Sequence, residues 1–448
     1  MSTIQVDFKK QIGALKIMHA VGQPPTQQTF RKLIFDAFQY LTDAHIPYSR
    51  LHDVGGAFGG NLYVDIPNLF RDFDADENDP DAYDFTFTDE LIKAMIDYKL
   101  EPIFRLGVTI ENLFNYKAYR IHPPKDFAKW ARICEHVIRH YNEGWANGFH
   151  FHITYWEIWN EPENGVFGDN QMWTGTDEQY YELYTVTSKH LKSCFGNSIK
   201  VGGYAASGFY GIYYHPEKYG VNVPTRPHDE RYEKDMHRVD FLLGFLEYIK
   251  KENAPLDFFS WHSYSKPEKT RICCDWLHRT LEEYGYGDVE THLNEWNSNP
   301  GVEQVGSSYS SASAAEMFCV MHQSKVHSLY YYDAKITSGA YQGLFNAYTK
   351  KPVSTYYVFY AYGEMYTLKN QVECISSEER VYALAASNED KQAVFITNVS
   401  GEDKTLEIPA CKGMSVYVID ADNFLTKTEY DPTNFVLKNN QVAYIKNF

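Results

Sequence analysis

The strongest constraint on this chain is an alternation. Eight short runs of β-branched and aromatic residues alternate with longer amphipathic stretches. The runs at 14–20, 47–52, 102–108, 154–159, 199–204, 257–262, 289–293 and 327–332 read as strands. The stretches at 26–42, 88–98, 126–141, 177–193, 240–251, 270–284, 311–323 and 352–366 read as helices. Parallel strands need a long crossover, and a helix supplies it. Eight strand-then-helix units in series therefore predict an α/β fold, a parallel (β/α)8 barrel.

The pattern changes after about residue 367. Runs at 380–386, 393–399, 405–408, 415–419 and 442–445 are strand-like, with turn-rich pieces such as 387–390 and 401–403 between them. This predicts a small accessory antiparallel β-sandwich. The expected division is a barrel over 10–366 and a sandwich over 367–448, to which residues 1–9 can add a strand. No internal repeat or low-complexity tract interrupts either part.

Composition removes some function classes. The formal net charge is −17, with 59 acidic against 42 basic side chains. Nucleic acids and anionic membranes are bound by basic patches, so neither is an expected partner. No apolar run approaches the length of a membrane span, and the first ten residues lack a signal-peptide core. The seven cysteines are scattered apart from Cys273-Cys274, which suits reduced thiols and a cytoplasmic setting. Cys134, Cys194 and Cys319 fall in helical patterns and read as core thiols. Whether the chain forms a homo-oligomer is left open. No cofactor or metal site is expected. His136 and His140 are four apart on a helix, a spacing that reads as structural here. The glycines at 55, 56, 59 and 60 read as a tight loop, since no nucleotide-binding pattern accompanies them.

Active sites of such barrels lie at the C-terminal ends of the strands. The polar residues there are Arg50, His52 and Asp53 on the second strand and Asn160 and Glu161 on the fourth. His262 and Tyr264 follow on the sixth, Glu295 and Trp296 on the seventh, and Asp333 on the eighth. Charge recurring at one end of several buried strands is costly unless it is used. Segments 155–162 (YWEIWNEP) and 291–297 (THLNEWN) each end a buried strand in Asn-Glu, the paired carboxylates that glycosidic cleavage needs.

YWEIWNEP, with HAVG at 19–22, RLHD at 50–53, YDFTFTDELIKAMIDYKLEPIF at 83–104, DFFSWHSY at 257–264 and the later LNEW, resembles glycoside hydrolase family 39 of the clan A barrels. That family includes β-xylosidases and is related to α-L-iduronidases. The resemblance covers most of residues 10–365. It implies an oligosaccharide or glycoside substrate, with Glu161 as general acid/base and Glu295 as nucleophile. On that reading Trp156 and Trp159 desolvate Glu161, and Arg50 keeps Glu295 ionised. Tyr264 or His262 hydrogen-bonds the nucleophile, Asn160 holds the sugar 2-hydroxyl, and Trp296 stacks on a sugar face. His52, Asp53 and Asp333 complete the expected sugar-binding set. The chain departs from the family's xylosidases after the eighth strand, where 332–341 contains no Glu. Asp333 and Lys335 are the alternatives there. The expected activity is exo-acting retaining hydrolysis of β-xyloside-like or related glycans. Other sugar specificities (arabinosidase, galactosidase), a catalytically inactive carbohydrate-binding barrel and a metal-dependent barrel hydrolase are the competing readings.

Overall fold

The computed structural model describes residues 2–28, 32–54, 64–110, 121–165, 170–297, 302–336, 341 and 343–448. The chain opens with β1 (Ser2–Ala14), β2 (Ile17–Gly22), β3 (Gln27–Gln28), β4 (Leu33–Ile34), α1 (Phe38–Asp43) and β5 (Tyr48–Leu51). It continues through α2 (Ile66–Leu69), α3 (Thr86–Asp97), β6 (Glu101–Leu106), α4 (Phe127–Glu143), β7 (Tyr155–Ile158), α5 (Asp177–Phe195) and β8 (Lys200–Ala206). Next come α6 (Tyr232–Glu252), β9 (Phe258–Ser263), α7 (Pro267–Tyr284), β10 (Glu290–Trp296), α8 (Ser308–His322), β11 (Ser328–Tyr331) and α9 (Ser354–Tyr366). The last strands are β12 (Asn370–Ser376), β13 (Val381–Asn388), β14 (Lys391–Asn398), β15 (Lys404–Glu407), β16 (Ser415–Ile419), β17 (Phe424–Thr428), β18 (Phe435–Leu437) and β19 (Gln441–Lys446).

Eight strands close a barrel in the order β10-β11-β2-β5-β6-β7-β8-β9, every pair parallel. Inside it, aromatic rings fill the N-terminal half. Tyr155 meets Tyr48, Phe258 and His292 edge-on, and His292 stacks on Phe258 and Tyr330. At this end Tyr155 and Lys200 also meet Glu290, while the polar side chains that line a cavity lie at the C-terminal mouth. β8 and β9 approach so closely that a Cβ on Gly202 would lie 2.1 Å from the Phe258 carbonyl oxygen.

The helices begin and end on capping chemistry. The Asp126 carboxylate accepts from the Lys129 amide at 2.9 Å to start α4, and Gly144, at φ +77°, ends it. Thr176 and Gln179 form a reciprocal capping box at the start of α5. One expected helix differs. Residues 26–42 hold a β3–β4 hairpin and only the short α1, which buries Phe38 and Leu41. Tertiary packing outweighs the helical spacing of that segment.

The nine remaining strands form a curled sheet in the order β17-β16-β19-β14-β13-β12-β1-β15-β18. β1 pairs antiparallel with β12 and, at Ser2 and Thr3, parallel with β15, so it joins the two layers of a β-sandwich. β12, β17 and β18 lie outside the strands expected from sequence. One sandwich face packs on α8 and α9, where Tyr362 meets Phe395 and Tyr357 stacks on Phe424. Covered on both sides, α8 is buried nearly all round, and its small Ser and Ala residues allow that approach. Among the described residues no helix is long and apolar enough to cross a membrane.

Candidate active site

A cavity of about 870 Å³ opens at the C-terminal mouth of the barrel. His52, Asp53, Asn160, Glu161, Tyr264 and Glu295 line it. Local backbone geometry aims the two glutamates. At the end of β7 Trp159 and Glu161 adopt φ +71° and +44°, the left-handed region that turns a strand sharply. The Glu161 amide then reaches the Ala205 carbonyl of β8 at 3.2 Å. At the end of β10 the pairing register with β9 shifts between Leu293 and Glu295. This irregularity turns the consecutive Asn294 and Glu295 both inward: Asn294 donates to Glu157, and Glu295 accepts from Arg50 at 2.6 Å.

The same shift sends Trp296 outward. Trp296 is 0% exposed and packs against Phe318 and Tyr331 in the barrel–helix core, away from the cavity. The expected sugar-stacking role is therefore corrected. Trp156 and Trp159 likewise face outward, onto Phe104 and onto Trp130 and Trp173. Glu161 owes its desolvation to burial in the mouth, not to those indoles.

Arg50 sits beneath the cavity, 1% exposed. It donates from Nε to Glu157 at 2.7 Å, and from its two terminal nitrogens to Glu295 and to Asn160 Oδ1, each at 2.6 Å. Burial opposes its charge, but the Glu157 and Glu295 carboxylates outweigh that and hold the guanidinium above its ordinary value. Glu157, missed from sequence, was readable as the inward position between the outward Trp156 and Ile158.

Tyr264 donates to the other Glu295 oxygen at 2.6 Å. His262 Nδ1 lies 2.6 Å from Glu161 Oε1 and 3.6 Å from Glu295 Oε2. One oxygen from each glutamate and a His262 ring nitrogen all lie within 4.8 Å of one another. Asn164 donates to the second Glu161 oxygen at 2.5 Å. Within this cluster Glu161 and His262 partner each other, Arg50 and Tyr264 hold Glu295, and His262 Nε2 has no hydrogen-bond partner among the described residues. A second such group among the described residues, Glu135, His190 and Cys194, lies on α4 and α5.

Burial pushes the Glu161 carboxyl up to about 7, against the pull of Arg238 and Arg50. Burial also raises Glu295, opposed by His262, Arg50 and the Tyr264 hydroxyl. Burial lowers His262 to about 4, so its ring is neutral near pH 7. Glu163 holds the Ser207 amide at 2.6 Å, and burial with the neighbouring Glu161 charge raises it to about 7.

On the side of β5 and β11, the Tyr332 hydroxyl donates to Asp53 Oδ2 at 2.9 Å. His52 Nε2 lies 3.2 Å from Asp53 Oδ1, and His52 Nδ1 is buried without a hydrogen-bond partner among the described residues. Asp333 does not line the cavity. Burial raises it to about 7, and Lys335 beside it donates to the Asp53 carbonyl at 3.1 Å. The acidic stretch 71–84 also stays outside the cavity and packs on α4, where Arg132 meets Glu77 at 2.7 Å. His140 is held by Asp89 and the Trp145 carbonyl, each at 2.9 Å, a structural role. Gly55, Gly56, Gly59 and Gly60 lie outside the described residues.

A closed (β/α)8 barrel with two buried carboxylates converging at its mouth defines a barrel of the glycoside-hydrolase type. The chain belongs to glycosyl hydrolases family 39, whose family model matches residues 49–276, just over half of it. A β-xylosidase of Geobacillus stearothermophilus is 25% identical over 241 residues, 52% of this chain. The match spans 39% of that relative's length. A glucosidase from Croceicoccus marinus shares the fold at TM-score 0.76 and 19% identity, covering 100% of this chain and 98% of that one. A family 39 β-xylosidase from Caulobacter crescentus does so at TM-score 0.68 and 16% identity, covering 99% of each.

Proposed function

We propose that this protein is a retaining glycoside hydrolase, exo-acting on β-xyloside-like or related glycans. The observation that carries the reading is the spacing of the two glutamates. One oxygen of each carboxylate lies within 4.8 Å of the other, a close approach that suits a retaining pair, held about 5–5.5 Å apart, rather than an inverting pair at about 6.5–9.5 Å.

In this account Glu295 attacks the anomeric carbon while Glu161 gives its proton to the glycosidic oxygen, and the leaving group departs. A covalent glycosyl ester on Glu295 results. Esterification removes the Glu295 charge, which lowers the proton affinity of Glu161. Glu161 then takes a proton from water as that water attacks the ester, and both side chains return to their starting state. Arg50 and Tyr264 hold Glu295 through both oxygens and favour its charged form. Because Asn160 Oδ1 accepts from Arg50, its Nδ2 donors are left for the sugar 2-hydroxyl. Asp53 offers carboxylate lone pairs, and His52 its unpaired Nδ1, for other hydroxyls.

The test is a panel of 4-nitrophenyl glycosides, including xyloside, arabinoside, galactoside and glucoside, followed by Glu295→Ala on the best substrate. Turnover should fall by on the order of 10⁴-fold or more, and azide should restore release of 4-nitrophenol as a glycosyl azide of inverted configuration. Turnover of no glycoside by the wild type, or near-normal turnover by the variant, would contradict the proposal.

A further inference from the structure

One wall of the cavity is basic although the chain carries a net charge of −17. Arg226, Arg231, Arg238 and Lys269 line it, with Asp235 as their one lining carboxylate. Asp235 is shared between Arg226 and Arg238, each at 3.1 Å. Arg226 also pairs with Asp229. Four cations against these two carboxylates leave two positive charges. The side chains of Arg231 and Lys269 pair with no carboxylate among the described residues, and Arg238 Nε is buried without a partner.

The wall begins at Glu161. Arg238 donates to Asn164 Oδ1 at 3.3 Å, and Asn164 in turn donates to Glu161. A proton donor must face the glycosidic oxygen, so the leaving group departs along this side. Tyr210 and Tyr213 line the same part of the cavity, and rings suit sugar faces. Guanidinium forks match the planar carboxylate and the tetrahedral sulfate.

We propose that the leaving-group side of the cavity binds an anionic sugar, one carrying a carboxylate or a sulfate. This rests on the reading of Glu161 as the proton donor. An acidic substituent would pair with Arg231 and with Lys269, whose ammonium lies 5.7 Å from the Tyr213 ring centre, and would reach Arg238.

The test is titration of the whole protein, followed by NMR, with methyl glycosides of a hexose, its hexuronic acid and its 6-sulfate as separate probes. An anionic probe should bind about tenfold more tightly than the neutral one, a modest gain because Arg231 and Lys269 are exposed and solvent screens their pairs. The advantage should shrink as salt rises. It should fall toward one in the Arg231→Ala/Lys269→Ala double variant. Whichever anion binds more tightly identifies the source. Equal or tighter binding of the neutral probe, or a preference that the double variant leaves intact, would overturn the inference. Hydrolysis of neutral aryl glycosides is read separately: its absence counts against the hydrolase reading, and loss of the anion preference counts against this one.

Discussion

Arg50 and Glu295 form a 2.6 Å ion pair beneath the cavity, their side chains 1% and 7% exposed. A pair so sealed is held by mutual dependence, because either partner alone would be a buried, uncompensated charge. Arg50→Met should therefore destabilise the fold by about 3–5 kcal/mol in urea unfolding. Without the guanidinium the Glu295 carboxyl is raised further in the native state. The native state then binds more protons than the unfolded state, so the loss should be smaller at pH 5 than at pH 8. An equal loss at both pH values would contradict this account of the pair.

The rate should depend on pH in two limbs. Glu161 must be protonated to act as the acid and is held at about 7, so kcat/KM should fall as pH rises through about 7. Glu295 must be ionised, and burial raises its carboxyl, so activity should also fall on the acid side. Glu161→Gln should remove the alkaline limb with 4-nitrophenyl substrates, whose leaving group needs little protonation. An unchanged limb in that variant would reassign the acid.

Tyr264→Phe removes one donor from Glu295 without emptying space. A hydrogen bond to a charged group contributes about 1.5–3 kcal/mol, so kcat should drop about 10- to 100-fold. The acid limb should move to higher pH, because the lost bond favoured the carboxylate. A lower rate with an unmoved acid limb would show that the hydroxyl serves the substrate instead.

Trp296→Ala separates packing from binding. A fully buried indole against Phe318 and Tyr331 should cost about 3–5 kcal/mol of stability when truncated. KM for small aryl glycosides should stay nearly constant at a temperature where the variant remains folded. A raised KM with unchanged stability would restore the stacking role expected from sequence.

The barrel and its glutamates were legible because they follow from local rules. Strand period and strand–helix alternation fix the barrel, and the strand ends place Glu161 and Glu295 at its mouth. Trp296 was misread because strand alternation fails where β10 slips its register, and no residue type announces that slip. The helix expected over 26–42 failed for a related reason: Leu33 and Ile34 fit a helical face as well as a hairpin strand, and long-range packing decides between them. Glu157 lay in plain view between two outward residues. Asn164 and the Arg226–Arg238 wall were not legible, since they reach the cavity from loops and from α6, whose positions depend on how the whole barrel closes.

The central claim is that Glu161 and Glu295 act by double displacement. The most direct measurement is ¹H NMR of the sugar first released from the best aryl glycoside, before mutarotation. The account predicts that this sugar has the anomeric configuration of the substrate. Release of the opposite anomer would contradict it and would require a water between the two carboxylates.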